Sequence, residues 1–163
     1  MKNSKIDLNF LTRSAAIAAI YVVLTLIFAP ISFGAAQIRI SEALTILPLF
    51  TPAAVPGLFV GCLLANILGG AVIWDVIFGS IATLIGAAVG YKLRFSRWLV
   101  PIPAIVSNTV IIPLVLRYGY GVDIPIPLLM LYIAAGEIVS CYVLGELLAE
   151  VLSRSRKWLF RDN

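Results

Sequence analysis

The sequence contains no histidine. That removes imidazole as a general base, every His-dependent catalytic triad and every His metal ligand. Cysteine is scarce: Cys62 and Cys141 are the two present. Both lie inside apolar runs and lack the spacing partners of a disulfide or metal set, so they read as small core residues. Charge is scarce as well, at 12% of residues against ~25% in an ordinary soluble domain. There is no G-x-x-x-x-G-K-[ST], which excludes ATP binding through a P-loop, and no H-E-x-x-H or G-x-S-x-G. Nothing assembles a nucleophile with a base, and no cofactor or metal site is expected. What fills the chain instead is hydrocarbon. Of 163 residues 61% are apolar, with a mean hydropathy of +1.05, above the ~45–50% of soluble domains. Disorder requires the opposite composition. The expectation is an all-α, polytopic membrane protein in which residues 1–163 form a single integral membrane domain.

The net charge of +4 is informative through its placement. Lys2, Lys5 and Arg13 stand at the N-terminus, Lys92, Arg94 and Arg97 form an internal cluster, and Arg154, Arg156, Lys157 and Arg161 close the chain. These groups flank apolar segments, which argues against nucleic acid as a partner. The positive-inside rule puts both termini and the 92–97 loop in the cytoplasm, so the number of crossings is even. The first apolar run is long, with its small residues inside it, and reads as a retained helix rather than a cleaved leader.

With about 20 apolar residues per crossing, a bundle of six transmembrane helices follows. The first spans residues 11–28 and stops at Ala29-Pro30. An external loop covers 31–40. A short second helix covers 42–50 with Ser41 as N-cap, and a turn-rich break at 51–57 separates it from a third at 58–68. The fourth covers 74–93. Pro101 and Pro103 open the fifth, which ends near Arg117, and Pro125 and Pro127 open the sixth, which continues to Leu152. The second and third are short, so a re-entrant hairpin competes with two full crossings. Residues 1–10 are expected to form a cytoplasmic segment. Residues 153–163 form a cytoplasmic tail, whose Arg156, Lys157, Trp158 and Phe160 suit the lipid interface.

Polar side chains inside such segments cost about 2.5–3.5 kcal/mol for Asp, Lys or Arg at mid-helix, and here they gather toward one side. Arg39 and Glu42, with Gln37, stand at the outer start of the second helix. Asn66 lies near the outer end of the third. Trp74 and Asp75 open the fourth, and Asp123 lies in the last external loop. Asn108 is at mid-depth in the fifth. Glu137 is about 12 residues, roughly 18 Å, below the outer start of the sixth. The pattern predicts a polar pocket opening outward. Structural readings compete for several members. Arg39 and Glu42 have the spacing of a surface ion pair, and Glu42 and Asp75 suit helix N-termini. Trp74 suits an interface anchor, and Asn66 and Asn108 suit interhelical hydrogen bonds. Glu137 has no Lys or Arg at i±3 or i±4 and resists such a reading. Glu146 and Glu150, near the cytoplasmic basic residues, suit structural roles. Ala15 and Ala19 form a small-xxx-small pair that permits close helix approach.

The stretch Ala15-Ala16-Ile17-Ala18-Ala19-Ile20-Tyr21-Val22-Val23-Leu24-Thr25-Leu26 resembles the substrate-binding (S) components of energy-coupling factor transporters. Four blocks follow in order: Gln37-Ile38-Arg39-Ile40-Ser41-Glu42-Ala43-Leu44; Pro56-Gly57-Leu58-Phe59-Val60-Gly61-Cys62; Ala65-Asn66; and Asp75-Val76-Ile77-Phe78-Gly79-Ser80-Ile81-Ala82-Thr83-Leu84. Together they resemble the QueT family of queuosine-precursor transporters. The resemblance implies a six-helix S component of the plasma membrane without its own ATPase. Its implied partners are a transmembrane coupling subunit and two cytoplasmic ATPases. The implied substrate is a 7-deazaguanine such as 7-aminomethyl-7-deazaguanine or queuine, and the implied docking face on the coupling subunit is Ala15 and Ala19. The residues suit that substrate. A carboxylate can accept from N1–H and the exocyclic amine together; a second can meet an aminomethyl cation. A Trp ring can stack on the base, and Asn can pair its O6 edge. Another vitamin, a structural or assembly role, and an intramembrane enzyme are the competing readings.

Overall fold

The computed structural model describes residues 7–32 and 37–159, with side chains to Arg154. All regular structure among the described residues is helical. Helix α1, Leu8–Ile27, begins earlier than expected because Asp7 caps it, accepting from the backbone N–H of Asn9 at 3.1 Å and of Phe10 at 3.4 Å. A single turn, Ala29–Ser32, follows.

Helix α2, Ile40–Leu49, is wound as a 3₁₀-helix and contains Pro48. Its i→i+3 hydrogen bonds stretch ten residues to about 20 Å. The expected Ser41 cap is not found: Arg39 occupies the N-cap position, and the Ser41 hydroxyl lies 2.7 Å from that of Thr25 on α1. The residues from Ser41 to Pro48 are all buried, because α2 runs up the middle of the bundle and touches α1, α3, α4 and the far half of α6. Enclosure by protein is what makes the weaker 3₁₀ hydrogen bonding tolerable in an apolar setting.

Helix α3, Ala54–Leu68, starts ahead of the expected position, since Pro56 sits in the first turn, where its missing N–H costs nothing. Its 15 residues reach about 22 Å, less than the ~30 Å hydrocarbon core. Helix α4 is Ile73–Lys92. Helix α5, Ile102–Leu114, passes into a π-helical turn at Val115–Gly119. Helix α6, Ile126–Glu137, continues through a π-helical stretch, Ile138–Leu144, into an α-helical end, Gly145–Leu159. Among the described residues four segments are long and apolar enough to cross a membrane: Leu8–Ile27, Ile73–Lys92, Arg97–Gly119 and Ile126–Arg154. Helices α2 and α3 are shorter apolar helices.

Around α2, α1 packs on α3, α3 on α4, α4 on α5 and α5 on α6. One core joins Tyr21, Leu44, Leu47, Leu58 and Cys62; another joins Ile112 and Leu116 of α5 to Leu129 and Ile133 of α6. At the end carrying the internal basic cluster, Arg97 Nε lies 2.7 Å from Glu146 Oε2 and its Nη1 3.4 Å from Glu150 Oε2. This clamp holds the start of α5 against the end of α6 and gives Glu146 and Glu150 structural work. The helix backbone extends to Leu159, but the side chains on which the interfacial-tail reading depends, and residues 1–6, lie outside the described residues.

Candidate functional site

Among the described residues the buried charged side chains are Arg39, Glu42, Asp75 and Glu137. They come from the α2 entry, the first turn of α2, the first turn of α4 and the last residue of α6 before its π-helical stretch. A π-helical stretch inside an α-helix is often found at functional sites, and this one begins directly after Glu137.

Glu137 accepts from Asn108 Nδ2 at 3.0 Å and from the Cys141 thiol at 3.0 Å. One carboxyl oxygen of Glu137, one of Glu42 and the Cys141 sulfur all lie within 4.8 Å of one another. Glu42 accepts from the Tyr21 hydroxyl of α1. Arg39, only 6% exposed, places Nη1 3.8 Å from the Cys62 sulfur, and its charge acts on Tyr21, Asp75 and Glu42. Asn66 donates to the backbone carbonyl of Asp75 at 3.1 Å, and the Tyr120 hydroxyl donates to Asp75 Oδ2 at 3.0 Å. Burial first, and then the Asp75 charge, pushes the Tyr120 phenol up to about 12, so it stays a donor at neutral pH. The bare Cα of Gly79 makes room here: a β-carbon would fall 2.8 Å from Asp75 Oδ1 and 3.2 Å from Asn66 Nδ2.

Six of the residues singled out from the sequence, Arg39, Glu42, Asn66, Asp75, Asn108 and Glu137, are thus buried inside one bundle. The surface ion-pair reading of Arg39 and Glu42 is overturned by their burial. Glu42 does stand at the start of its helix, in the first turn of α2, but at the level of Glu137, a dozen residues into α6. Residues 37–39, just ahead of α2, bring it to that level, with the Gln37 carbonyl against Gly136 and Arg39 buried. Trp74 is not part of the cluster. Neighbouring residues on a helix point about 100° apart, so with Asp75 turned inward Trp74 turns out. It is 53% exposed, stacks on Phe78 at 6.0 Å, and lines a separate apolar groove of about 590 Å³ with Phe78, Ile111 and Tyr118. Asp123 is exposed and paired with Arg117 at 2.5 Å. Ala15 and Ala19 lie on the exposed face of α1, away from the pocket.

The sequence reading did not single out Tyr21 or Tyr120, which reach Glu42 and Asp75. A tyrosine in the middle of an apolar helix needs a partner for its hydroxyl, and that signal was available for Tyr21. Cys62 and Cys141 are buried, as small core residues are, yet each faces a polar group.

Glu42 Oε2, Asn66 Oδ1, Asp75 Oδ1 and Ser140 Oγ are among the buried polar atoms without a hydrogen-bond partner among the described residues. Unmet buried acceptors are costly. Glu42 Oε2, Asn66 Oδ1 and Asp75 Oδ1 are oxygens placed to accept, so this part of the cluster suits a ligand's N–H donors.

The backbone before α2 is pressed against α6: a β-carbon on Gly136 would collide with the Gln37 carbonyl. Gly136→Ala is therefore expected to destabilise the protein by roughly 1–3 kcal/mol through overpacking. Gly145→Ala is the control. Its β-carbon meets the Ala43 carbonyl at an ordinary 3.5 Å, and a helical Gly→Ala change there is expected to raise stability by up to about 1 kcal/mol. Thermal unfolding in detergent measures both; a melting temperature lowered equally by the two would remove the close approach as the cause.

Comparison with known proteins gives a consistent picture. A family model described as QueT transporter matches residues 11–154. The queuosine precursor transporter QueT of Lactococcus lactis subsp. cremoris (strain MG1363) is 35% identical over 86 residues, 52% of this chain and 50% of that protein. The match therefore spans about half the length of that relative. No solved structure matches the chain.

Proposed function

The chain belongs to the QueT transporter family, and from that premise we propose that it is the substrate-capturing subunit of an energy-coupling factor importer, binding a 7-deazaguanine queuosine precursor. In this reading it crosses the plasma membrane six times with both termini in the cytoplasm, and a transmembrane coupling subunit and two ATPases drive uptake. The absence of any P-loop motif in the sequence supports dependence on separate ATPases.

The observation that carries the substrate assignment is the set of buried acceptors without partners among the described residues, Glu42 Oε2, Asn66 Oδ1 and Asp75 Oδ1. A 7-deazaguanine offers N1–H, the exocyclic amine and the ring N9–H as donors, and an aminomethyl group adds a cation. Carboxylates accepting from such groups form charge-assisted hydrogen bonds, the strong kind. Glu42, Asp75 and Glu137 supply the carboxylates, Asn66 and Asn108 the amides, and Arg39 balances the charge. Tyr21 and Tyr120 hold two of the carboxylates in place. Trp74 lies outside this set.

Calorimetry on the full-length protein in detergent tests the proposal. Saturable 1:1 binding of 7-aminomethyl-7-deazaguanine is expected, with thiamine and riboflavin giving no heat. Absence of binding by every deazaguanine tried would overturn it.

A further inference from the structure

The geometry points to the Glu42–Glu137 pair as an ammonium subsite that holds a proton when empty and releases it when a cationic ligand binds. The inference rests on the deazaguanine reading above and adds to it the part of the ligand this pair takes.

One carboxyl oxygen of Glu42 and one of Glu137 lie within 4.8 Å of each other. One ammonium nitrogen at charge-assisted distances of about 2.7–2.9 Å can bond to both. The groups around the pair are already committed. Tyr21 donates to Glu42, and Asn108 and Cys141 donate to Glu137. Glu42 Oε2 has no partner among the described residues, and Glu42 is only 1% exposed. That unmet, enclosed oxygen is the second observation beside the closeness of the two acids.

The charge balance requires something positive. From α1 the pair meets Tyr21, from α5 Asn108, and from α6 itself Cys141. Cys62 and Asn66 of α3 and Asp75 of α4 complete the cluster, and Arg39 is its cation. With every acid ionised, three buried carboxylates would face one guanidinium. Two carboxylates this close in a desolvated site do not both ionise. The empty pair therefore retains a proton on one carboxyl. When an ammonium enters, that O–H bond breaks, the proton passes to buffer, and the ligand's N–H groups take its place between two carboxylates. A neutral ligand leaves the proton where it is.

The test compares 7-aminomethyl-7-deazaguanine with the neutral 7-cyano-7-deazaguanine on the full-length protein in detergent. Calorimetry in buffers of different ionisation enthalpy, at one fixed pH, counts the protons. About one proton released per aminomethyl ligand is expected, and none for the nitrile. Affinity for the aminomethyl ligand should rise by up to about tenfold per pH unit while the nitrile's stays level. In Glu137→Gln, preference for the aminomethyl ligand should drop at least about 30-fold and proton release should vanish. A cooperative thermal unfolding transition and a monodisperse elution profile in detergent report that the variant is folded. Equal proton release by both ligands, or none by either, would overturn the inference while leaving the deazaguanine reading intact. Failure of both ligands to bind the unmodified protein would overturn that reading and this one with it.

Discussion

7-Deazaguanines are expected to outcompete 7-deazaadenines by about 10⁴-fold, the discrimination that a site built to hydrogen-bond its ligand achieves against an analogue lacking the donors. The guanine-like edge presents N1–H and the exocyclic amine side by side. A buried carboxylate facing them gains two charge-assisted hydrogen bonds. The adenine-like edge presents an acceptor at N1, so the same carboxylate loses both bonds and faces a lone pair. Leaving a buried charged group without a partner costs more than a neutral mismatch. Three carboxylates are candidates, and their surroundings distinguish them. Glu42 and Glu137 stand together, an arrangement suited to a cation. Asp75 stands apart from that pair. One of its oxygens accepts from Tyr120, while Oδ1 has no partner among the described residues, and the Asn66 side chain lies beside it. Asp75 and Asn66 are thus the better placed for the base edge. Competition on the purified protein decides: equal displacement by both classes of purine would mean that no carboxylate reads the edge. Asp75→Asn, which swaps one acceptor oxygen for a donor, should erase most of the discrimination.

Much of this site was legible in the sequence because buried charge is so expensive in an apolar chain. Arg39, Glu42, Asp75 and Glu137 stood out by type and position alone, and all four are buried. Glu137 was the clearest, having no cation one helical turn away, and its partners turn out to come from Asn108 on α5 and from Cys141 one turn along. What the sequence could not supply was depth. Hydrophobic periodicity marks a helix but not its winding, and α2 reads the same as an α-helix or a 3₁₀-helix. Glu42 stands in the first turn of α2, and the entry to that helix, with Gln37 pressed against Gly136 of α6, puts Glu42 at the level of Glu137. Counting residues inward from each loop had put the two at different levels. Trp74 illustrates a second limit. It stands next to Asp75 in sequence, and nothing in that adjacency says which of the two faces inward; the packing of α4 on α3 and α5 decides it.

Replacing both Ala15 and Ala19 by Trp is expected to leave ligand binding intact and to reduce uptake to background. The two alanines lie on the face of α1 that the bundle leaves exposed, one turn apart, while Ser14, Ile17, Ala18 and Tyr21 face inward. The inward face carries the contacts that matter to the pocket: Tyr21 reaches Glu42, and the Ser14 hydroxyl donates to the Ala53 carbonyl at 3.0 Å. A change confined to the outer face therefore spares the site. On that outer face, small residues let a second helix approach to backbone contact, where dispersion and weak polar contacts act at short range, and an indole ring holds the partner off. Two measurements on the same variant separate the outcomes. Calorimetry with 7-aminomethyl-7-deazaguanine should give the unmodified affinity, and copurification with the coupling subunit should be lost together with cellular uptake. Normal copurification and uptake would move the docking face to another helix; lost ligand binding would mean that α1 positions Tyr21 through its outer face as well as its inner one.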